Sequence, residues 1–278
     1  MDFDKTIEQI SQNVPEPVEE TYTGEDGLLR CKKCNDKLET MVEFLGKTKK
    51  VRCICTCQKE ARDAEEEARK NEERLRRIAE LRKTGFQDGQ LINWTFYNDD
   101  GSQPKVMQAA RNYVENFQTF KKDGKGLLLY GNVGTGKTYV AAAIANALVD
   151  KGVPVLVTNF ARISNKLQES FEGRQAYLDN LDRFDLLVID DLATERRTEY
   201  MQEIVFNVVD ARYRSGLPMI ITTNLSLEAV KNPPNVADNR IYDRVLEKCF
   251  PIEVKGKSHR RKNINNEYAD MKALLGLN

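Results

Sequence analysis

The chain lacks a net charge: 43 Lys and Arg stand against 43 Asp and Glu in 278 residues. Overall charge therefore selects neither nucleic acid nor membrane as a partner, and any polyanion-binding surface has to be local. Long apolar runs are missing too. No stretch approaches the ~18 residues of a membrane span. The opening Met1-Asp2-Phe3-Asp4 is acidic and has no apolar segment of the signal-peptide kind, so the expectation is a cytoplasmic protein without membrane contact. In that compartment the six cysteines are expected as thiols or metal ligands rather than disulfides. The length fits one or two domains with a sizeable core.

What is present begins with Gly131-Asn132-Val133-Gly134-Thr135-Gly136-Lys137-Thr138. This matches G-x-x-x-x-G-K-[ST], the phosphate-binding P-loop. Gly126-Leu127-Leu128-Leu129-Tyr130 before it reads as a buried strand, and the alanine-rich run from Tyr139 to Leu148 after it reads as a helix. The glycines let successive N–H groups turn towards phosphate oxygens at the positive end of a helix dipole. Lys137 supplies a cation for the β- and γ-phosphates of ATP, and Thr138 a hydroxyl for Mg²⁺.

Residues 1–24 read as an acidic tail with Pro15 and Pro17 and little to pack. Residues 25–58 hold five cysteines: Cys31 and Cys34 form one knuckle, and Cys53, Cys55 and Cys57 follow a hairpin-like spacer over Thr40–Thr48. Paired cysteines on two turns are the donor set for tetrahedral Zn²⁺, a zinc-ribbon layout. Five are one too many. Alternation would set 53, 55 and 57 on one strand face, so the choice among them stays open. Cys31, Cys34, Cys55 and Cys57 are favoured, with Cys53 as the alternative ligand and redox thiols as the competing reading. Residues 59–85 carry closely balanced charge with Glu65/Arg69, Glu66/Lys70, Glu72/Arg76 and Glu73/Arg77 in i,i+4 order, which predicts a solvated linker helix ending at Gly85 and Gly89.

From 86 to 278 the composition is that of a globular α/β domain. Asn93-Trp94-Thr95-Phe96-Tyr97 either walls a base or belongs to the core. Val106–Phe120, Arg162–Leu181 and Met201–Tyr213 have helical spacing, and Val153–Thr158, Leu217–Thr223 and Pro251–Val254 read as strands. Leu186-Leu187-Val188-Ile189-Asp190-Asp191 is a Walker B pattern. Asp190 is the metal-side acid for Mg²⁺, and Asp191 is placed to polarise the attacking water. Asn224 ends a strand beside it, as a γ-phosphate or water contact or as a turn-starting residue. Arg240 and Arg244 share a helix face. Cys249 reads as core.

The P-loop, Ile189-Asp190-Asp191, Thr222-Thr223-Asn224, Arg240-x-x-x-Arg244 and Ser258-His259-Arg260 together resemble the AAA+ ATPases of the DnaC-type helicase loaders and the related IstB transposition helpers. The resemblance covers about residues 90–262. It implies a five-stranded parallel sheet of order 5-1-4-3-2 without a C-terminal lid. By it Asn224 falls on sensor 1, Arg244 (or Arg240) on an arginine finger serving a neighbouring subunit, and Arg260 on a sensor-2-like position. Self-association would then place ATP at subunit boundaries. One departure is the Asp190-Asp191 pair where many AAA+ proteins have Asp-Glu, which implies slow hydrolysis. The implied function is an ATP-dependent loader acting on a replicative DNA helicase and single-stranded DNA. The alternative is a transposition helper on double-stranded DNA, and the zinc-ribbon front end favours the loader. A small-molecule kinase is the reading from another class. It has no use for Asn224 or an arginine in trans.

Overall fold

The computed structural model describes residues 20–44, 46–169, 173–193, 198–256 and 258–259, with 268, 271–272, 274–275 and 277. The chain divides into two compact units, residues 1–75 and 76–278.

In the first unit β1 (Thr21–Thr23) pairs antiparallel with β2 (Leu29–Cys31), and β3 (Glu39–Phe44) with β4 (Lys47–Arg52). The hairpin is the one expected over the spacer. Thr21–Thr23, placed in the tail from sequence, is instead a strand because Leu29–Cys31 offers it a ladder. Residues 1–19 lie outside the described residues. The 53–57 stretch is not a strand either. Residues 53–55 are irregular, and Thr56 opens the long helix α1 (Thr56–Gly85), so the strand-face argument for Cys53, Cys55 and Cys57 does not hold.

Most of α1 is solvated, as its ion pairs Lys70–Glu66 and Arg69–Glu73 require. Its last turns differ. Ile78 and Leu81 pack on the core of the second unit, and Arg82 donates to Asn146 and pairs with Asp150. The helix ends where Gly85 meets the Val155 carbonyl, at a spacing a Cβ would violate.

The second unit is a parallel sheet between two helical layers. Its helices are α2 (Pro104–Glu115), α3 (Phe117–Asp123), α4 (Lys137–Asp150), α5 (Phe160–Glu169), α6 (Arg174–Leu181), α7 (Glu199–Ser215), α8 (Leu227–Lys231) and α9 (Val236–Lys248). Its strands are β5 (Gly126–Tyr130), β6 (Val155–Asn159), β7 (Leu186–Leu192), β8 (Met219–Thr223) and β9 (Cys249–Glu253), in the order β6-β7-β8-β5-β9. Numbered from Gly126 and read from the other edge, this is 5-1-4-3-2. Strand alternation splits the core cleanly. Leu127, Leu129, Val188 and Ile220 face α2, α3 and α4, whereas Leu128, Leu187, Ile189 and Ile221 face α5, α7 and α9. The alanines of α4 are buried on nearly every side, so small residues let this helix sit close to the sheet. The helices expected over Val106–Phe120 and Arg162–Leu181 are each two helices, the first broken at Asn116. Cys249 is buried at the start of β9. Among the described residues no helix is long and apolar enough to cross a membrane.

Candidate functional site

The site lies where β5, β7 and β8 end on the same edge of the sheet. After Tyr130 the chain turns through Gly131, Gly134 and Gly136, all at positive φ, and enters α4 at Lys137. Two of these glycines also make room for the chain after β9. A Cβ on Gly131 would lie 2.5 Å from the Val254 carbonyl, and one on Gly134 would overlap Ser258. The Val254 amide donates to Tyr130 O at 2.8 Å and the His259 amide to Gly134 O at 3.0 Å, so Val254 and His259 are each tied to the P-loop and the strand before it.

Lys137 is buried, and its Nζ donates to Gly131 O (3.0 Å), Asn132 O (2.8 Å) and Asn224 Oδ1 (2.7 Å). The ammonium thus braces the loop and reaches the end of β8. Asn224 does not start the following helix. Ser226 does, accepting from the Ala229 amide, which leaves the Asn224 side chain to the P-loop. Thr138 Oγ1 donates to Asp190 Oδ1 at 2.9 Å. Thr222 Oγ1 donates to the same oxygen at 2.7 Å. Burial, reinforced by Asp191, pushes the Asp190 carboxyl above its ordinary value, against the pull of these hydroxyls and Lys137. A cation beside it would reverse that balance. One hydroxyl and two carboxylates form a hard oxygen donor set, which suits Mg²⁺. Asp191 sits at φ 61 and lines the cavity in front of the P-loop.

That cavity, about 370 Å³, is lined by residues 133–140, Trp94, Asn98–Asp100, Ser102, Gln103, Asp191, Asn224 and His259. Its size suits a nucleotide-sized ligand. The aromatic segment divides its work. Trp94 lines the cavity with its ring 6.1 Å from that of Tyr139. Phe96 lies under the Arg111 guanidinium, and Tyr97 is 95% exposed. Gln103, whose side chain donates to Thr135 O, and His259, which contacts Asp100 and Ser102, join the site only in the structure, because neither residue type signals a site at its place in the chain and His259 is marked in the sequence only within Ser258-His259-Arg260.

The paired arginines differ in environment. Arg244 Nε donates to Asp210 Oδ1 at 2.9 Å, Nη1 to Arg240 O, and the guanidinium lies over the Phe206 and Tyr213 rings. Arg240 is exposed, and among the described residues its guanidinium has no partner. Arg260 lies outside the described residues.

In the first unit the Sγ atoms of Cys31, Cys34, Cys55 and Cys57 lie within 4.8 Å of one another. Cys53 stands apart, its thiol donating to Lys37 O at 3.2 Å. Amides of Cys34 and Lys33 point at the Cys31 sulfur and draw its thiol down to about 7, which favours a thiolate. Four sulfurs brought together from two turns are the donor set that Zn²⁺ takes.

The sheet order, the glycine turn before α4, and the acid pair facing Thr138 define a P-loop ATPase of the AAA+ class. The family model for the IstB-like ATP-binding proteins matches residues 58–267, and the chain belongs to that family. It is 28% identical over 196 residues to the replicative helicase loader DnaI of Bacillus subtilis, covering 65% of this chain and 62% of that protein. It is 30% identical over 173 residues to the replicative helicase loader DnaC of Escherichia coli, covering 60% and 67%. A crystal structure of DnaI superposes with a TM-score of 0.51 at 26% identity, over 62% of this chain and 96% of that one.

Proposed function

We propose that this protein is an ATP-dependent loader that places a replicative DNA helicase on single-stranded DNA in the cytoplasm. The observation that carries the reading is the likeness to DnaI and DnaC, each named a replicative helicase loader. The cysteine cluster lies ahead of the IstB-like match over residues 58–267, and we take this zinc-ribbon-like front end to favour the loader over the transposition-helper alternative on double-stranded DNA.

In this reading ATP occupies the cavity with its phosphates on the 131–138 loop. Mg²⁺, when bound, neutralises charge on the β- and γ-phosphates. Thr138 and Asp190 hold it, Asp191 orients the attacking water, and Asn224 and Lys137 fix the γ-phosphate end. Arg244, or Arg240 in its place, serves the site of a neighbouring subunit, so that nucleotide state becomes assembly state. By the family resemblance Arg260 takes the sensor-2-like, nucleotide-binding role. Zn²⁺ on Cys31, Cys34, Cys55 and Cys57 orders the first unit.

The test is co-precipitation with the replicative helicase of the same organism, with and without ATP. ATP-sensitive capture is the expected result. No capture under either condition, combined with ATP-dependent retention on duplex DNA, would move the assignment to the transposition helper.

A further inference from the structure

Both acids of the site depend on one buried hydroxyl. Strands β7 and β8 pair regularly through Ile189↔Ile221, and pairing resumes at Leu192↔Thr223. Between these points Asp190 and Asp191 stand opposite Thr222 alone. Two residues against one is a β-bulge, a device that re-aims side chains and is common beside active sites. The extra residue is Asp191, held at φ 61, a conformation costly for a side chain that is not glycine.

Thr222 fills the bulge. Its Oγ1 accepts from the Asp191 amide at 2.8 Å and donates its proton to Asp190 Oδ1 at 2.7 Å. It is completely buried. One hydroxyl thus uses both its donor and its acceptor capacity, one for each acid. The first bond offsets the left-handed turn that brings Asp191 to the cavity. The second fixes the carboxylate that Thr138 also meets.

We propose that Thr222 is the positioning residue for the acid pair: it sets Asp190 for the cation and Asp191 for the water, without touching either. The inference rests on the nucleotide reading of the site. Valine at 222 keeps the branched shape but has no hydroxyl. Asp190 would lose one of its two hydroxyl donors, and the Asp191 amide would lose its acceptor, so the bulge could relax towards regular strand and carry Asp191 out of the cavity. The P-loop contacts to nucleotide would be unaffected.

The neighbouring Thr223 supplies the control. Its hydroxyl donates to Leu192 O at 2.9 Å and ties the same two strands, but it meets neither acid.

The experiment titrates Mg²⁺ into the full chain with a fluorescent ATP analogue and reads analogue affinity, alongside the melting temperature. Thr222→Val is expected to raise the Mg²⁺ needed for half-maximal binding by about 10–100-fold, the usual cost of removing a group that orients a metal ligand. Metal-free binding is expected to be unchanged. Thr222→Ser should recover the wild-type Mg²⁺ dependence. Thr223→Val should lower the melting temperature without shifting that dependence. Should valine prevent folding, Thr222→Cys, with its weaker thiol donor, reads the same quantity and is expected to fall between serine and valine. The proposal is overturned if Thr222→Val binds with wild-type Mg²⁺ dependence while Asp190→Asn does not, or if Thr223→Val shifts it equally. A wild-type protein that binds the analogue with no response to Mg²⁺ would overturn the nucleotide reading itself.

Discussion

The two units reach order by different physics. In the second, two continuous apolar clusters cover both faces of a five-stranded sheet. In the first, the cluster among the described residues is Leu38 with Cys31 and Cys55, backed by Leu29, Cys34 and Cys57. Its interior is largely the ligand set itself. An apolar cluster this small buries little surface, and the cysteines beside it are free thiols whose sulfurs lie together. One unit is held by burial; for the other we propose that a metal on its four clustered sulfurs does that work.

Removing the metal is the most direct way to break that contrast. Chelation of Zn²⁺, or replacing Cys31 and Cys34 together by serine, should unfold the first unit outright, because structural zinc contributes about 10–16 kcal/mol in small domains. The second unit should keep its melting transition and its nucleotide binding. Elemental analysis and limited proteolysis of the first 75 residues read the outcome. Purified protein without zinc, or a double mutant that keeps it, would refute the ligand assignment.

The converse perturbation is Lys137→Ala. It should abolish nucleotide-dependent function while leaving the zinc content unchanged, since Lys137 Nζ donates to P-loop carbonyls and to Asn224, in the second unit. Nucleotide binding by equilibrium dialysis decides it. Full affinity and activity in this variant would remove the P-loop from the mechanism.

A finer separation lies within the acid pair. Asp190→Asn should weaken Mg²⁺-dependent binding, because its carboxylate is the group Thr138 and Thr222 orient. Asp191→Asn should spare binding and lower the rate of hydrolysis. Binding and single-turnover hydrolysis measured side by side test the division, and equal losses of affinity would contradict it.

The same contrast explains what was legible in the sequence. The P-loop and the acid pair are contiguous runs whose residue types each have one job, so Lys137, Thr138, Asp190 and Asp191 could be read directly. The cysteines could be counted and paired, but the choice of Cys55 and Cys57 over Cys53 depends on where α1 starts. Periodicity gave no sign that Thr56 begins a helix rather than continuing a strand. Thr222 was visible only as part of a strand ending, since its role comes from a register shift against β7 that no local pattern encodes. Arg244 was legible only as one of two arginines sharing a helix face. Its partner is Asp210, 34 positions away on α7.

That last pairing sharpens a smaller prediction. Arg244 and Arg240 lie one turn apart on α9, and either suits a neighbour's γ-phosphate, because guanidinium is always charged and offers a planar fork of donors. Their costs should nevertheless differ. Asp210 is nearly buried and holds Arg244 and Arg214 together. Arg244→Ala leaves it with the more exposed partner, so a loss of about 1.5–3 kcal/mol in stability is expected, the usual net worth of one hydrogen bond to a charged group. Arg240→Ala should cost nothing measurable in stability. Catalysis separates them independently. A finger acting across a boundary contributes about 10³–10⁵ in rate in related chemistry, with a smaller drop expected for a weak ATPase. Each arginine variant is mixed with Lys137→Ala subunits. Where an intact P-loop faces an intact arginine of its neighbour, ATPase should return, and for Arg244→Ala that return is expected. Recovery with Arg240→Ala instead would transfer the role to the exposed residue and leave Arg244 as the brace between α7 and α9. Mixed assemblies that form but recover with neither variant would rule out an arginine of α9 acting in trans.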